Sequence, residues 1–330
     1  HVSNVIIKST PLILTGLGVA FAFKTGLFNI GAEGQFIMGS VAATVVGILF
    51  DFPPVIQIPL VLSAGVAAGA VYGGIAGFLK AKFGIHEVLT SIMLNWIALY
   101  FSNYVCGLNR FHKPDTIGTY AINRSGYTMI LGNYKATEEG KAALAQNEFL
   151  RSTILKTDVN AGFIIAIVLA VLISFLLYKT AKGFELRAVG SNRFAAEFSG
   201  IYVNRNILHS MLISGAICGL AAALYITGNS PHGIATLAAF ENTGFNGLAV
   251  CLIAASSPIG CIFAGLLFGG LIYGGQTLQY EVGAPSEIIN IVIGVIVFFV
   301  ALTHIIPPLV ERLRKVPLGK PGRNVSKGGK

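Results

Sequence analysis

The sequence predicts an all-α polytopic membrane protein with about nine transmembrane helices, and three observations support that prediction. Hydrophobic residues make up 54% of the 330 residues and charged residues only 11%, whereas soluble domains carry roughly 25% charged residues. Apolar runs long enough to cross a bilayer recur along the chain. Basic residues are concentrated beside some of those runs. A single polytopic domain therefore fits the length better than two soluble domains.

The net charge of +9 comes from two segments. Segment 179–205 holds five basic residues against two acidic ones, and segment 311–330 holds seven against one, so the remainder of the chain is neutral. Lys and Arg concentrated beside apolar spans follow the positive-inside rule, which places both segments in the cytoplasm. The charge therefore indicates a multi-pass protein of the cell membrane with a cytoplasmic C-terminus, and not a nucleic-acid-binding protein.

Nine spans are predicted from hydropathy, and their alternation across the membrane orients them. Lys80 and Lys82 then fall inside, and the polar segment 108–159 falls outside as an extracellular cap. Residue 1 falls outside, so we expect missing N-terminal residues with one further span and ten spans in the full protein. Span 240–256 is expected to be a broken or tilted helix, because polar residues interrupt it. The spans run over 5–23, 35–50, 56–79, 88–107, 160–178, 207–228, 240–256, 258–276 and 286–305.

One transmembrane domain over residues 1–310 accounts for these spans, with the cap 108–159 and a cytoplasmic segment 179–206 between them and a basic tail at 311–330. The cap is either a solvated insertion or a docking surface for an outer partner. No phosphate-binding loop, no zinc-protease motif and no credible Ser/His/Asp arrangement occurs. We therefore expect no catalytic residues and no metal site. The four cysteines lie in or beside apolar runs without C-x-x-C pairs and are expected to be buried thiols.

A glycine-rich polar stretch, Gly26–Gln35, lies between two apolar runs. It holds three glycines, an Asn, a Gln and the carboxylate of Glu33, and such groups persist in hydrocarbon only where protein or a water-filled cavity surrounds them. A broken segment of this kind points to a transport pathway. Because it joins an inward span to an outward one, we expect it nearer the cytoplasmic half than the midplane, as part of an inner gate. Glu33 is then expected to be a structural hydrogen-bond acceptor.

A polar stripe is predicted on the span that follows His86. Glu87, Ser91, Asn95 and Ser102 fall within roughly 80° of one another at about 100° per residue. Such a face must contact protein or a water-filled path. Hydrogen bonding to a neighbouring helix is the alternative for Ser and Asn side chains. For Glu87 we favour a carboxylate at the start of a helix near the cytoplasmic face.

The stretch Glu241–Gly247 repeats the chemistry of the first polar stretch, with glycines, a Phe and Asn before an apolar run. It is either a second broken element beside the pathway or the capped outer end of a helix with Asn242 as N-cap. The candidate residues of the pathway or gate are Phe28, Asn29, Glu33, Gln35, Ser91, Asn95, Phe245 and Asn246.

The longest cytoplasmic link, Lys182–Ile201, is predicted to form short helices punctuated by glycines. Several of its apolar residues are expected to be exposed to the cytoplasm, which suggests docking of a soluble partner. The alternative is an interfacial helix on the lipid headgroups. These apolar residues are Phe184, Leu186, Val189, Phe194 and Phe198.

This link resembles the coupling loop of ABC-importer permeases, in the family that contains branched-chain amino acid, ribose and related sugar permeases. Gly26–Gln35 and His86–Ala98 resemble signatures of its nucleoside-importer branch, closest to the guanosine and purine nucleoside permeases. The resemblance extends from about residue 10 to residue 305 and implies a type II ABC-importer-like permease fold. The size of the cap departs from the family pattern.

The resemblance implies that two permease subunits, often two different ones, pair in the membrane above two ATPase subunits. Those ATPase subunits bind ATP and Mg²⁺, so the chain itself needs no cofactor and is not an enzyme. An extracellular substrate-binding lipoprotein delivers the ligand. Coupling to the ATPase is assigned by the resemblance to Gly183, Phe184, Glu185, Leu186, Arg187, Gly190, Asn192, Ala195 and Ala196.

Nucleosides are the expected substrate. A neutral, flat, polar solute requires aromatic faces and amide hydrogen bonds, which Phe28, Asn29, Asn95 and Asn246 offer. The alternatives within the family are a ribose or other sugar permease and a branched-chain amino acid permease. The alternative from another class is an ATPase-independent channel or secondary transporter, for which only Glu33 is a candidate ion-coupling carboxylate.

Overall fold

The computed structural model describes residues 2–130, 135, 137–147, 151, 157, 159–283, 285, 288, 290–296, 298–299 and 302. These residues form helices, a 3₁₀ turn at Arg124–Gly126 and a few isolated β-bridges. The helices are α1 (Val2–Lys24), α2 (Ala32–Leu49), α3 (Pro54–Phe83), α4 (Glu87–Cys106), α5 (Glu138–Ala145), α6 (Gly162–Lys179), α7 (Ala181–Ser191), α8 (Arg193–Phe198), α9 (Val203–Gly228), α10 (Thr243–Ile253) and α11 (Gly260–Val282).

Seven helices among the described residues are long and apolar enough to cross a membrane, which confirms the polytopic all-α prediction. They are α1, α2, α3, α4, α6, α9 and α11. Helix α10 corresponds to the predicted span 240–256, but its 11 residues extend only about 16 Å, about half the thickness of a bilayer core. The predicted span 286–305 is described only in part, and the whole predicted tail 311–330 lies outside the described residues.

Helix α1 lies at the centre of the bundle. Every residue from Ser9 to Ala22 is buried, and α6, α9, α10 and α11 pack around the helix. Its sequence is apolar or small on all sides, and a helix without a polar face is suited to full burial. The hydroxyl groups of Ser9, Thr10 and Thr15 donate to carbonyl oxygens one turn earlier in the same helix, as where Thr15 Oγ1 donates to Pro11 at 2.8 Å.

Helices α3 and α9 approach each other through glycines. Gly65, Gly69 and Gly73 lie one turn apart on α3 and meet Gly215 and Gly219 of α9. A Cβ atom at position 69 would lie 2.7 Å from the Cα atom of Gly219, which is closer than van der Waals contact. Small residues at this spacing let membrane helices pack backbone to backbone.

Helix α10 begins in the middle of the bundle. Its first residue, Thr243, places its carbonyl oxygen 3.4 Å from the hydroxyl oxygen of Thr15, which lies midway along α1. Helix α11 then runs antiparallel to α1, because Gly265 packs on Ile13 and Gly269 packs on Ser9. The predicted break in span 240–256 is therefore confirmed, with non-helical chain before residue 243 and helix after it.

The first part of the predicted cap packs on the C-terminal ends of α2 and α9. The backbone N–H of Asn123 donates to the carbonyl oxygen of Gly47 at 2.9 Å, and that of Thr119 donates to Ile234 at 2.9 Å. The ring of Tyr127 stacks on His232 with centroids 3.8 Å apart. This part of the cap is therefore attached to the transmembrane helices.

Candidate functional site

The glycine-rich break between α1 and α2 turns back into the bundle. Helix α1 ends at Lys24, and Gly26 adopts a φ of 72°, a left-handed conformation that favours glycine. Asn29 Nδ2 then donates to Ser214 Oγ at 2.7 Å, and that hydroxyl donates to the carbonyl oxygen of Gly18 at 2.6 Å. Gly18 precedes the end of α1 by six residues, or about 9 Å. The chain after Lys24 therefore runs back beside α1, so the two ends of the break lie at different levels along that helix. Its place in the cytoplasmic half, as part of an inner gate, stays a prediction.

Amide side chains satisfy the N-terminus of α2. Asn29 Oδ1 accepts from the N–H of Gly31 at 3.0 Å, and Asn95 Oδ1 accepts from the N–H of Gly34 at 2.9 Å. Asn95 Nδ2 also donates to the carbonyl oxygen of Ile30 at 3.1 Å. The first N–H groups of a helix have no partner within the helix, and leaving them unpaired inside a membrane is costly. These two Asn residues supply the missing acceptors.

Two more predicted residues belong to this buried group. Gln35 exchanges hydrogen bonds with Asn29, donating through Nε2 at 3.1 Å and accepting through Oε1 at 3.0 Å. Ser91 is fully buried beside Gly31, and its hydroxyl has no hydrogen-bond partner among the described residues. Phe28 is half-buried and packs edge-on against Phe23.

The polar stripe of α4 is buried, as the helical spacing predicts. Glu87, Ser91, Asn95 and Ser102 are each at most 4% exposed. Glu87 forms an ion pair with Lys80 and accepts from the backbone N–H of Phe28 at 3.3 Å. The carboxylate therefore ties the end of α3, the start of α4 and the break together.

A second helix N-terminus is held by Glu33. This fully buried carboxylate accepts from the backbone N–H groups of Asn242 at 3.0 Å, Gly244 at 2.6 Å and Phe245 at 3.3 Å. Asn242 directly precedes α10, but its side chain makes no capping hydrogen bond. Of the two interpretations of Glu241–Gly247, the geometry agrees with a broken element inside the bundle. Two helix N-termini therefore meet at one depth, joined by Glu33.

The remaining two candidates lie on different sides of α10. Phe245 packs against Phe240 with ring centroids 5.7 Å apart. Asn246 lines a polar cavity of about 410 Å³ between α1, α10 and α11, together with Lys8, Glu241 and Gln276. Asn29, Glu33, Gln35, Ser91 and Asn95 thus form one buried group, and the described residues contain no His/Cys/Asp/Glu cluster that could hold a metal ion. The role of all eight residues in a pathway or gate stays a prediction.

The segment α7–α8, which the sequence predicts to be cytoplasmic, packs directly on the break. A Cβ atom at Gly190 would lie 2.9 Å from the backbone nitrogen of Gly26 and closer still to the carbonyl oxygen of Lys24. Arg193 also reaches the carbonyl oxygen of Gly26 at 3.4 Å. Only a glycine fits at position 190 in this arrangement, so α7 contacts the turn after α1 backbone to backbone.

The expected exposure of the apolar residues in this segment was partly wrong. Phe184, Phe194 and Phe198 are 61%, 85% and 96% exposed, as expected, but Leu186 and Val189 are buried. The reason is that one face of α7 packs on the ends of α1, α6 and α9. Docking of a partner would therefore use only the opposite face.

Polar contacts fix the orientation of α7 and α8. Glu185 accepts from Lys182 at 2.9 Å and from Asn206 of α9 at 3.2 Å, and the bond from Lys182 holds the pKa of the Glu185 carboxyl below its ordinary value. Arg187 Nε donates to the carbonyl oxygen of Leu177 at 2.9 Å. Asn192 caps α8 by accepting from the N–H of Ala195 at 3.1 Å. Gly183 and Ala196 are buried against the bundle.

Two features of the bundle are not among the predicted site residues: Ser214, the partner of Asn29, and a chain of rings around Trp96. Trp96 stacks on Tyr100 with centroids 6.1 Å apart and contacts Phe240 at 4.7 Å. The ring cluster could have been predicted from Trp96, which lies in the middle of an apolar span. Trp in membrane helices favours the interfaces, so a Trp at this position is unusual. Ser214 gave no comparable signal, since single Ser residues occur throughout these spans.

The family model that matches this chain, and the three relatives described below, are all permeases. The family described as "Branched-chain amino acid transport system / permease component" matches residues 1–301. The chain is 40% identical to the guanosine ABC transporter permease protein NupP of Bacillus subtilis, over 96% of this chain and 85% of that protein. It is 36% identical to the nucleoside ABC transporter permease protein NupB of Lactococcus lactis, over 93% and 80%. It is 31% identical to the glucose ABC transporter permease protein TsgB13 of Haloferax volcanii, over 90% and 75%.

Proposed function

Because the chain belongs to the family of branched-chain amino acid transport system permease components, we propose that it carries nucleosides across the membrane as one subunit of an ATP-driven importer. As a permease component it is a multi-pass membrane protein and a transport subunit, not an enzyme. The observation that carries the substrate assignment is the similarity to two nucleoside permeases, which exceeds the similarity to a glucose permease.

The chemistry at the centre of the bundle supports a neutral, hydrogen-bonding solute. The buried amides of Asn29, Gln35 and Asn95 position the N-terminus of α2, and their hydrogen-bonding groups point at protein partners. In this proposal the substrate contacts Phe28, Phe245 and Asn246. Each of these three is only partly buried, so each is open to a solute passing beside the bundle.

The proposed soluble partners dock at opposite ends of the molecule. ATPase subunits that bind ATP and Mg²⁺ dock on the exposed face of α7 and α8, where Phe184 and Phe194 project. A substrate-binding lipoprotein docks on the cap 108–159. A second permease subunit, a different paralogue, pairs with this one in the membrane, and both the C-terminus and the tail 311–330 lie in the cytoplasm. The transmembrane permease domain is 1–310.

Motion of the ATPase subunits reaches the pathway through a short series of contacts. Movement of α7 displaces Gly190, which presses on the turn at Gly26. That turn leads to the N-terminus of α2, and Glu33 in its first turn holds the start of α10. Docking on one side of the membrane thus changes the position of two helix ends in the middle of it.

Reconstitution tests this function. The complete complex in proteoliposomes is expected to take up labelled guanosine with ATP, and a partner ATPase unable to hydrolyse ATP is the matched control. Excess unlabelled adenosine should compete, and ribose, glucose and leucine should not. Competition by glucose or ribose alone would show a sugar permease, as the glucose relative suggests. Uptake by this chain without any ATPase would refute the importer.

A further inference from the structure

We propose that Tyr100, Trp96, Phe240 and Phe245 form a stacking surface that holds the planar base of a nucleoside halfway across the membrane. The rings form a continuous chain, with centroids 6.1 Å, 4.7 Å and 5.7 Å apart from Tyr100 to Phe245. This inference rests on the proposed function and adds a substrate contact to it.

The position of Trp96 shows that this face is unsuited to lipid. Trp96 is the tenth of the 20 residues of α4, about 14 Å from the start of the helix, and it is 44% exposed. Neither its indole nitrogen nor the hydroxyl of Tyr100, which is 65% exposed, has a hydrogen-bond partner among the described residues. Polar groups of Trp and Tyr favour the membrane interface, and leaving them unpaired in hydrocarbon is costly.

Helix α6 differs from α4 in its exposed side chains, which are those expected of a helix that faces lipid. Between Ile164 and Phe175 its exposed side chains are all apolar, and the exposed Tyr178 and Lys179 lie at the end of the helix. The exposed apolar residues are Ile164, Val168, Val171, Leu172 and Phe175. The exposed Trp and Tyr of α4 therefore indicate a face that contacts something other than lipid.

The site is also fixed in place. Phe240 and Phe245 flank the start of α10, whose first N–H groups are held by Glu33, and Asn95 anchors α4 to the N-terminus of α2 next to Trp96. The two halves of the ring chain thus come from elements joined by buried hydrogen bonds. Stacking on aromatic rings accepts every base, because each has a flat π face, which suits a permease for several nucleosides.

Substitution of Trp96 tests the stacking. In the complete complex, Trp96→Leu is expected to raise the KM for guanosine uptake about 5- to 150-fold, the loss of one base–ring stack, while Trp96→Phe, which keeps a ring, changes it about threefold or less. An unchanged KM in Trp96→Leu, or equal losses in both variants, would overturn the stacking and leave nucleoside import standing. If the unmodified complex imports no guanosine, the proposed function fails instead.

Thiol labelling gives a second test that leaves the rings intact. The four natural cysteines are buried, so Met93→Cys, 61% exposed one turn from Trp96, is the thiol that a charged water-soluble methanethiosulfonate should reach. Modification, read by mass on this subunit, is expected to slow with saturating guanosine but not with ribose. Val168→Cys on α6 is the control and should stay unmodified. An unreactive Met93→Cys would show that lipid or the second subunit covers the rings, and equal protection by ribose would also refute base stacking.

Discussion

Replacing Gly190 with Ala should uncouple ATP hydrolysis from uptake. The added methyl carbon would lie 2.9 Å from the backbone nitrogen of Gly26 and 2.9 Å from the carbonyl carbon of Thr25, well inside the contact distance of about 3.5 Å. These are backbone atoms that cannot rotate away, so α7 must move off the turn. Overpacking of this kind costs about 1–3 kcal/mol, which is about a 5- to 150-fold change in the population of the packed state.

The assay is guanosine uptake and ATP hydrolysis measured on the same proteoliposomes. Because the substitution does not touch the exposed face of α7, the ATPase should still dock and hydrolyse ATP, while uptake per ATP falls at least about fivefold. Ser191→Ala, at an exposed neighbouring position, is the control and should behave as the unmodified complex. Unchanged uptake per ATP in Gly190→Ala would refute the transmission through Gly26.

Three further sets of substitutions test the buried charges and the attachment of α7. Glu33→Gln is expected to lower the thermal unfolding midpoint of the purified complex, and Glu33→Ala to lower it further, since a hydrogen bond to a charged group contributes about 1.5–3 kcal/mol; equal midpoints would contradict the role of Glu33 as a cap. Lys80→Ala should destabilise more than Lys80→Ala with Glu87→Gln, because a buried carboxylate left unpaired costs about 3–5 kcal/mol; the reverse order of midpoints would contradict the buried pair. The pKa of Glu185 is lowered chiefly by Lys182, so its stabilisation is present above the ordinary pKa and is lost as pH falls through the lowered one. The midpoint of Glu185→Gln should therefore lie below that of the unmodified complex at pH 7 and converge with it in acid, and a difference independent of pH would exclude this ion pair as the cause.

The sequence predicts elements and polar faces well because these depend on local spacing. The break at Gly26–Gln35 follows from polar residues between two apolar runs, and the buried stripe of α4 follows from the period of a helix. The weakness of span 240–256 likewise follows from its own composition, and α10 is indeed short.

The partners of these faces depend on helix packing, which one sequence does not specify. Asn29 meets Ser214 only because α9 packs on α1 in one register, and 185 positions separate the two residues. Leu186 and Val189 were expected to be exposed, because nothing local shows that α7 folds back against the bundle. The contact of Glu33 with α10 joins residues more than 200 positions apart in the sequence. It forms only because the two broken segments lie at the same depth in the bundle.

The two helix N-termini that meet at Glu33 nearly balance its charge. Each N-terminus acts as roughly half a positive charge, and two such ends add up to about the charge that one carboxylate cancels. Glu33 therefore attracts a cation less than a free carboxylate would. One acidic side chain thus joins two helix ends inside the bundle without adding an excess charge of its own there.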